Sequence, residues 1–239
     1  MIEVKGINAG YGPLHIIFDI NMTFKDREVT CVLGPNGSGK STLLKTIFGL
    51  TAVYSGSVFC GQSNITKLPP HEIARRGVAY LPQTDNIFGN LTVAENLWLA
   101  SYTVDEESAK ETVHNVLSMF PVLNDFMGKS AGLLSGGERQ MLALSMALMR
   151  KPRVVMLDEP TANLAPKMAK QLVSNVKMLR DDLKLTVILV EQNAKLALDL
   201  SDHAFIMASG RKMAEGEPSE LANSPDFNKM LLGIAPTQG

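Results

Sequence analysis

The run Gly34-Pro35-Asn36-Gly37-Ser38-Gly39-Lys40-Ser41-Thr42 assembles the residue types that hold a phosphate group. An apolar stretch at 28–33 leads into it, and a helix-compatible stretch follows from Lys40 to about residue 48, stopping at Gly49. Between a strand and a helix, this spacing lets glycines turn successive backbone N–H groups inward toward phosphate oxygens. The helix start adds the positive end of its dipole. Lys40 is then placed to reach the β- and γ-phosphates of a nucleotide, and the Ser41 hydroxyl to ligate magnesium.

A second constellation ends an apolar strand: Val154-Val155-Met156-Leu157-Asp158-Glu159. An acidic strand end is weak alone, but downstream of a phosphate loop it has a chemistry. Asp158 would hold magnesium directly or through water, and Glu159 would orient and polarise an attacking water. Adjacent carboxylates on an extended strand point to opposite faces, which suits two separate roles. The third constellation is Leu134-Ser135-Gly136-Gly137-Glu138. Ser135 and Glu138 satisfy an ordinary capping box by themselves. The two glycines between them have no capping purpose, and with the Ser135 hydroxyl they make an anion site that has no lysine of its own.

The elements around these residues alternate in an orderly way. Residues 2–8 and 14–24 cluster β-branched and apolar types around Gly10-Tyr11-Gly12-Pro13, predicting a hairpin. Further strands are expected at 28–33, 56–59, 78–81, 154–157, 186–190 and 204–207. Helices are expected at 40–48, 105–120, 135–150, 167–183 and 193–200, a short one opens at the capping box Thr92-Val93-Ala94-Glu95, and short helices fill 218–232. Apolar runs bounded by turns suit strands buried on both faces of a parallel sheet. The expected fold is α/β: a mainly parallel sheet flanked by helices, an antiparallel flank from the hairpin, and a helical insertion near 85–150.

Bulk properties narrow the classes. A net charge of -1 lacks the basic footprint of a dedicated nucleic-acid binder. No apolar stretch approaches the ~18 residues of a spanning helix, and the start has no basic region followed by an apolar one. A soluble chain, brought to a membrane only by another subunit, is the expectation. Cys31 and Cys60 sit in apolar strand-like runs and are expected as buried thiols. The four histidines are scattered without metal-ligand spacing, and the 13 methionines suit core and interface filling.

Taken in their order along the chain, the phosphate loop, the carboxylate strand end and Leu-Ser-Gly-Gly-Glu resemble the ATP-binding cassette (ABC) family, over essentially the whole 239 residues. The resemblance implies a P-loop NTPase core over about 1–84 and 151–239 with a helical subdomain over about 85–150, in a single ATPase domain. It implies ATP and Mg2+ as ligands, with Ser135, Gly136 and Gly137 capping the γ-phosphate held by the loop of a second ATPase subunit. It places Tyr11 against the adenine and Gln83 at a magnesium-touching position that senses a membrane permease, with residues 84–92 receiving that permease. Location at the cytoplasmic face of the membrane follows.

Two departures stand out. Ala165, in Ala162-Asn163-Leu164-Ala165-Pro166, occupies the position where the family usually has an aspartate, and Gln192, in Val190-Glu191-Gln192-Asn193, stands where the family has a histidine. Glutamine donates and accepts hydrogen bonds but does not titrate, so Gln192 is expected to position water and γ-phosphate rather than move a proton. Leu-Ala-Pro and Val-Glu-Gln-Asn together resemble the ATPases of branched-chain (hydrophobic) amino acid importers, which work with a permease and, indirectly, a solute-binding protein. Urea and short-chain amide importers share these features, and a soluble non-transport ABC ATPase is the rival from another class. The pairing of the second subunit, identical or paralogous, stays open, as does whether both sites hydrolyse ATP equally.

Overall fold

The computed structural model describes residues 1–234 except Asp85, Thr103 and Asn163. Its centre is a six-stranded sheet in the order β10-β9-β3-β8-β7-β6, formed by β3 (Val29–Leu33), β6 (Val78–Leu81), β7 (Val154–Asp158), β8 (Thr186–Glu191), β9 (His203–Ala208) and β10 (Arg211–Gly216). The strands from β9 to β6 are mutually parallel, and β10 pairs antiparallel with β9. Strands β3, β7 and β8 are buried along their whole length, which explains their unbroken apolar composition. Their side chains still sort by alternation. Cys31, Leu33, Leu157 and Leu189 face one core, while Val32, Met156, Ile188 and Val190 face the other.

The second core is closed by helix α1 (Lys40–Ile47) and a four-stranded antiparallel sheet, β2-β1-β4-β5, built from β1 (Ile2–Tyr11), β2 (Leu14–Phe24), β4 (Ala52–Cys60) and β5 (Ser63–Asn64). Phe24 of this sheet meets Phe205 of β9 edge-on at 5.6 Å between centroids. Helix α2 (Pro70–Arg75) precedes β6. The first core is closed by helices that leave and re-enter the sheet: α3 (Val93–Ser101), α4 (Glu106–Met119) and α5 (Gly136–Leu148) between β6 and β7, then α6 (Pro166–Asp181), α7 (Ala194–Leu200), α8 (Pro218–Asn223) and α9 (Phe227–Leu231). The capping boxes expected at Thr92/Glu95 and Ser135/Glu138 both form, each contributing about 1 kcal/mol to where its helix begins.

Cys31 is buried as expected, but Cys60 is only half-buried, because β4 lies in the outer sheet. Among the described residues no helix is long and apolar enough to cross a membrane.

Candidate active site

The loop after β3 lies at the carboxyl end of the parallel strands, where open α/β sheets bind ligands. Gly34 is obligatory there, since a Cβ would run into the Met207 carbonyl of β9. Gly39, at φ 97°, caps α1 without any side-chain hydrogen bond, so the first N–H groups of that helix are offered to whatever occupies the loop. The Ser38 hydroxyl is buried with no protein partner among the described residues. Such an orphan costs about 1–3 kcal/mol unless a ligand acceptor satisfies it. The loop backbone is braced from outside: Gly210 N–H donates to Ser38 O at 3.0 Å, and Phe18 N–H to Gly210 O at 2.8 Å.

Lys40 is 4% exposed, and its Nζ donates to Gly34 O at 2.8 Å and Pro35 O at 2.9 Å. Burial pushes its pKa down, and the carboxylates of Glu159, Asp158 and Glu191 push it back up. The ammonium stands 3.9 Å from Glu159 Oε1. A cation supported this way, beside a helix start with no side-chain cap, is chemistry for a polyphosphate.

The two carboxylates part company as expected, though the cause is sharper than strand alternation. Asp158 ends β7 and takes the Ser41 hydroxyl on Oδ1 at 2.8 Å and the Tyr80 hydroxyl on Oδ2 at 3.0 Å. Burial raises its pKa, and these two hydrogen bonds oppose that rise. Glu159 then leaves the strand at φ 48°, a left-handed conformation that costs a non-glycine residue about 1–3 kcal/mol. Its N–H is held by Val190 O at 2.9 Å. Its Oε2 accepts Gln83 Nε2 at 3.1 Å and Gln192 Nε2 at 2.7 Å. Three side chains far apart in sequence therefore meet at one carboxylate.

Ser41 and Asp158 offer hard oxygens side by side, and the Gln83 amide sits on the adjoining Glu159. Among the described residues no cluster of three or more His, Cys, Asp or Glu could hold a metal by itself. That donor set fits magnesium, which takes one or two protein oxygens and fills its octahedron with water and substrate phosphate.

Ser135, Gly136 and Gly137 are not drawn into this cluster. The Ser135 hydroxyl accepts Glu138 N–H, and Ser135 N–H donates to Glu138 Oε2 at 2.7 Å. The end of the Met168 side chain on α6 lies over the open face of Gly137, and a Cβ there would require that flexible side chain to move. Beside it, Leu164 Cδ2 lies 3.6 Å from where a Gly136 Cβ would be. Asn163 lies outside the described residues. Ala165 accepts Met168 N–H at 2.8 Å as the N-cap of α6.

Tyr11 is 43% exposed at the hairpin end, and β2 passes the loop with Ile17 against Gly39. The turn is stiffened by Tyr54, whose hydroxyl donates to Gly12 O at 2.6 Å and whose ring stacks on His15 at 3.8 Å. Asn36, Gly37 and Thr42 complete the loop and first turn, with Thr42 buried. Tyr80 and Glu191 escaped the sequence analysis. Their partners, Asp158 and Thr161, lie far off in the sequence, and neither belongs to a local pattern.

Sheet, loop and paired carboxylates together define a P-loop nucleotide hydrolase. A family model described as ABC transporter matches residues 17–162. The chain is 54% identical to the probable branched-chain amino acid transport ATP-binding protein LivF of Archaeoglobus fulgidus, covering 98% of this chain and 99% of that one. It is 36% identical to the high-affinity branched-chain amino acid transport ATP-binding protein BraG of Pseudomonas aeruginosa, over 98% and 100%. An ATP-binding cassette of an ABC transporter, solved in its ADP conformation, superimposes with a TM-score of 0.87 at 26% identity, covering 98% of each chain. This chain belongs to the ABC transporter family, and its reaction is ATP hydrolysis in the service of transport.

Proposed function

We propose that this chain is one of two ATPase subunits of an importer for branched-chain or other hydrophobic amino acids, seated on the cytoplasmic side of a membrane permease. The near-full-length 54% identity to the archaeal LivF protein is the observation that carries the cargo assignment. The convergence of Gln83, Gln192 and Lys40 on Glu159 carries the catalytic one.

In this mechanism the loop N–H groups and Lys40 hold the phosphates of ATP, and Tyr11 stacks on the adenine. Ser41, Asp158 and Gln83 would hold Mg2+, which neutralises charge on the phosphate oxygens. Glu159 accepts a hydrogen bond from the attacking water. Gln83 and Gln192 fix the carboxylate by one oxygen, leaving the other to the reacting side; Gln192, which has no titratable proton, acts by positioning. Ser135, Gly136 and Gly137 serve the γ-phosphate of a second ATPase subunit, identical or paralogous. We treat residues 1–84 and 151–239 as the body that carries loop and carboxylates, and 85–150 as the subdomain that carries Ser135.

The permease would dock near residues 84–92. Phe88 is exposed in this segment, and Trp98 and Tyr102, edge-on to one another at 5.8 Å, are exposed along and just past α3, the kind of apolar surface that marks a partner contact. Its backbone is pinned: buried Asn96 accepts Phe88 N–H at 2.8 Å and donates to Phe88 O at 3.0 Å. A solute-binding protein would act on the permease, not on this chain.

The test is reconstitution with the permease and binding protein, measuring which solutes stimulate ATP turnover. Stimulation by leucine, isoleucine or valine is the expected result. Stimulation by urea or short amides alone would overturn the cargo, and full turnover without any permease would overturn the coupling.

A further inference from the structure

Glu191 is 3% exposed and takes no part in the mechanism above. It ends β8, one residue before Gln192. Its Oε1 accepts Thr161 Oγ1 at 2.7 Å and Thr161 N–H at 3.1 Å. Thr161 lies two residues past Glu159 in the same turn, which is closed by Ala162 N–H to Glu159 O at 3.0 Å and by Leu164 N–H to Thr161 O at 3.1 Å.

The turn begins with the left-handed Glu159 and so needs to be held from outside, because a strained backbone persists only when its surroundings over-determine it. One hold is the bond from Glu159 N–H to Val190 O, on the near side. The Thr161 bonds to Glu191 are the hold on the far side, and no other side chain bonds Thr161 among the described residues. The end of β8 thus grips the Glu159 turn by its backbone through Val190, by its far end through Glu191 and by its carboxylate through Gln192. A buried carboxylate is costly, and its two hydrogen bonds, both from Thr161, go to the one turn whose geometry the reaction depends on.

We propose that Glu191 is a positioning residue for ATP hydrolysis: by clamping Thr161 it fixes the turn that aims the Glu159 carboxylate. It touches neither nucleotide nor water. The proposal rests on the assignment of Glu159 to hydrolysis.

The experiment uses the assembled transporter with permease, comparing Glu191→Ala, Glu191→Gln, Thr161→Val and the double variant Glu191→Ala/Thr161→Val. Turnover at saturating ATP, KM for ATP and thermal midpoint are measured for each. Glu191→Ala lowers kcat about tenfold and leaves KM within about twofold, since the phosphate loop is untouched. Glu191→Gln, whose amide oxygen can accept both Thr161 bonds, recovers several-fold of that loss. The double variant is no slower than Glu191→Ala, because both changes cut one link. Wild-type kcat in Glu191→Ala, multiplying losses in the double variant, or a loss seen in KM alone would overturn the clamp. If Glu191→Ala does not fold, Thr161→Val and Glu191→Gln carry the same comparison. Glu159→Gln run alongside separates the two layers: dead Glu159→Gln with unaffected Glu191 variants sinks only the clamp, whereas active Glu159→Gln sinks the assignment beneath it.

Discussion

Helices α1 and α5 both have a glycine at their start, as N-cap in α1 and as first residue in α5, and they begin in opposite ways. α1 starts after Gly39 with no side-chain cap, beside an orphaned Ser38 hydroxyl and a buried lysine. α5 starts after Ser135 with its own reciprocal cap complete and Met168 seated on Gly137. The first is unfinished without a ligand, while the second is finished by its own chain. An unfinished start gains from binding a phosphate. A finished one is a rigid template, suited to being presented to a ligand held elsewhere.

The sharpest way to break this contrast is at the carboxylate beside α1. Glu159→Gln should cut phosphate release by roughly 10²–10³-fold while isolated subunits bind ATP normally and accumulate as nucleotide-bound dimers on size exclusion. Retained turnover would remove Glu159 from the chemistry. Lys40→Ala should weaken ATP binding to the isolated subunit by about 100-fold, read by equilibrium titration, because the loop loses its cation. Ser135→Asp sharpens the other side. Aspartate caps a helix as well as serine does, so the thermal midpoint should hold, yet its charge faces an incoming phosphate. ATP affinity of the lone subunit should be unchanged and turnover of the assembled complex should drop at least tenfold; loss in the lone subunit would show that α5 acts on its own loop. Gln192→Ala should lower kcat by about three- to tenfold with one Glu159 bond remaining, from Gln83, and unchanged activity would refute positioning. The smallest effect belongs to Tyr11→Ala, about three- to fivefold in ATP affinity, the worth of one aromatic stack.

How much of this was legible depended on range. The phosphate loop, both capping boxes and the buried strands are local patterns, and the sequence announces them within a dozen residues. The edge strand β10 is absent from any periodicity because Arg211–Gly216 is half-exposed and paired only to β9. Helix α2, Pro70–Arg75, is too short to show a face. Within the site, Gln83 and Gln192 were found by resemblance to a family pattern rather than by chemistry. Tyr80 on Asp158, and Thr161 on Glu191, join residues 78 and 30 positions apart, and nothing in either neighbourhood marks the bond. The contact of Met168 with Gly137 is hidden for the same reason, Met168 being on another helix.

That contact between Gly137 and Met168 also restricts how this chain can change over time. A methyl group at position 137 displaces the end of the flexible, half-buried Met168 side chain. The two sites are therefore coupled, and added bulk at 137 is met by a new rotamer or a shorter side chain at 168.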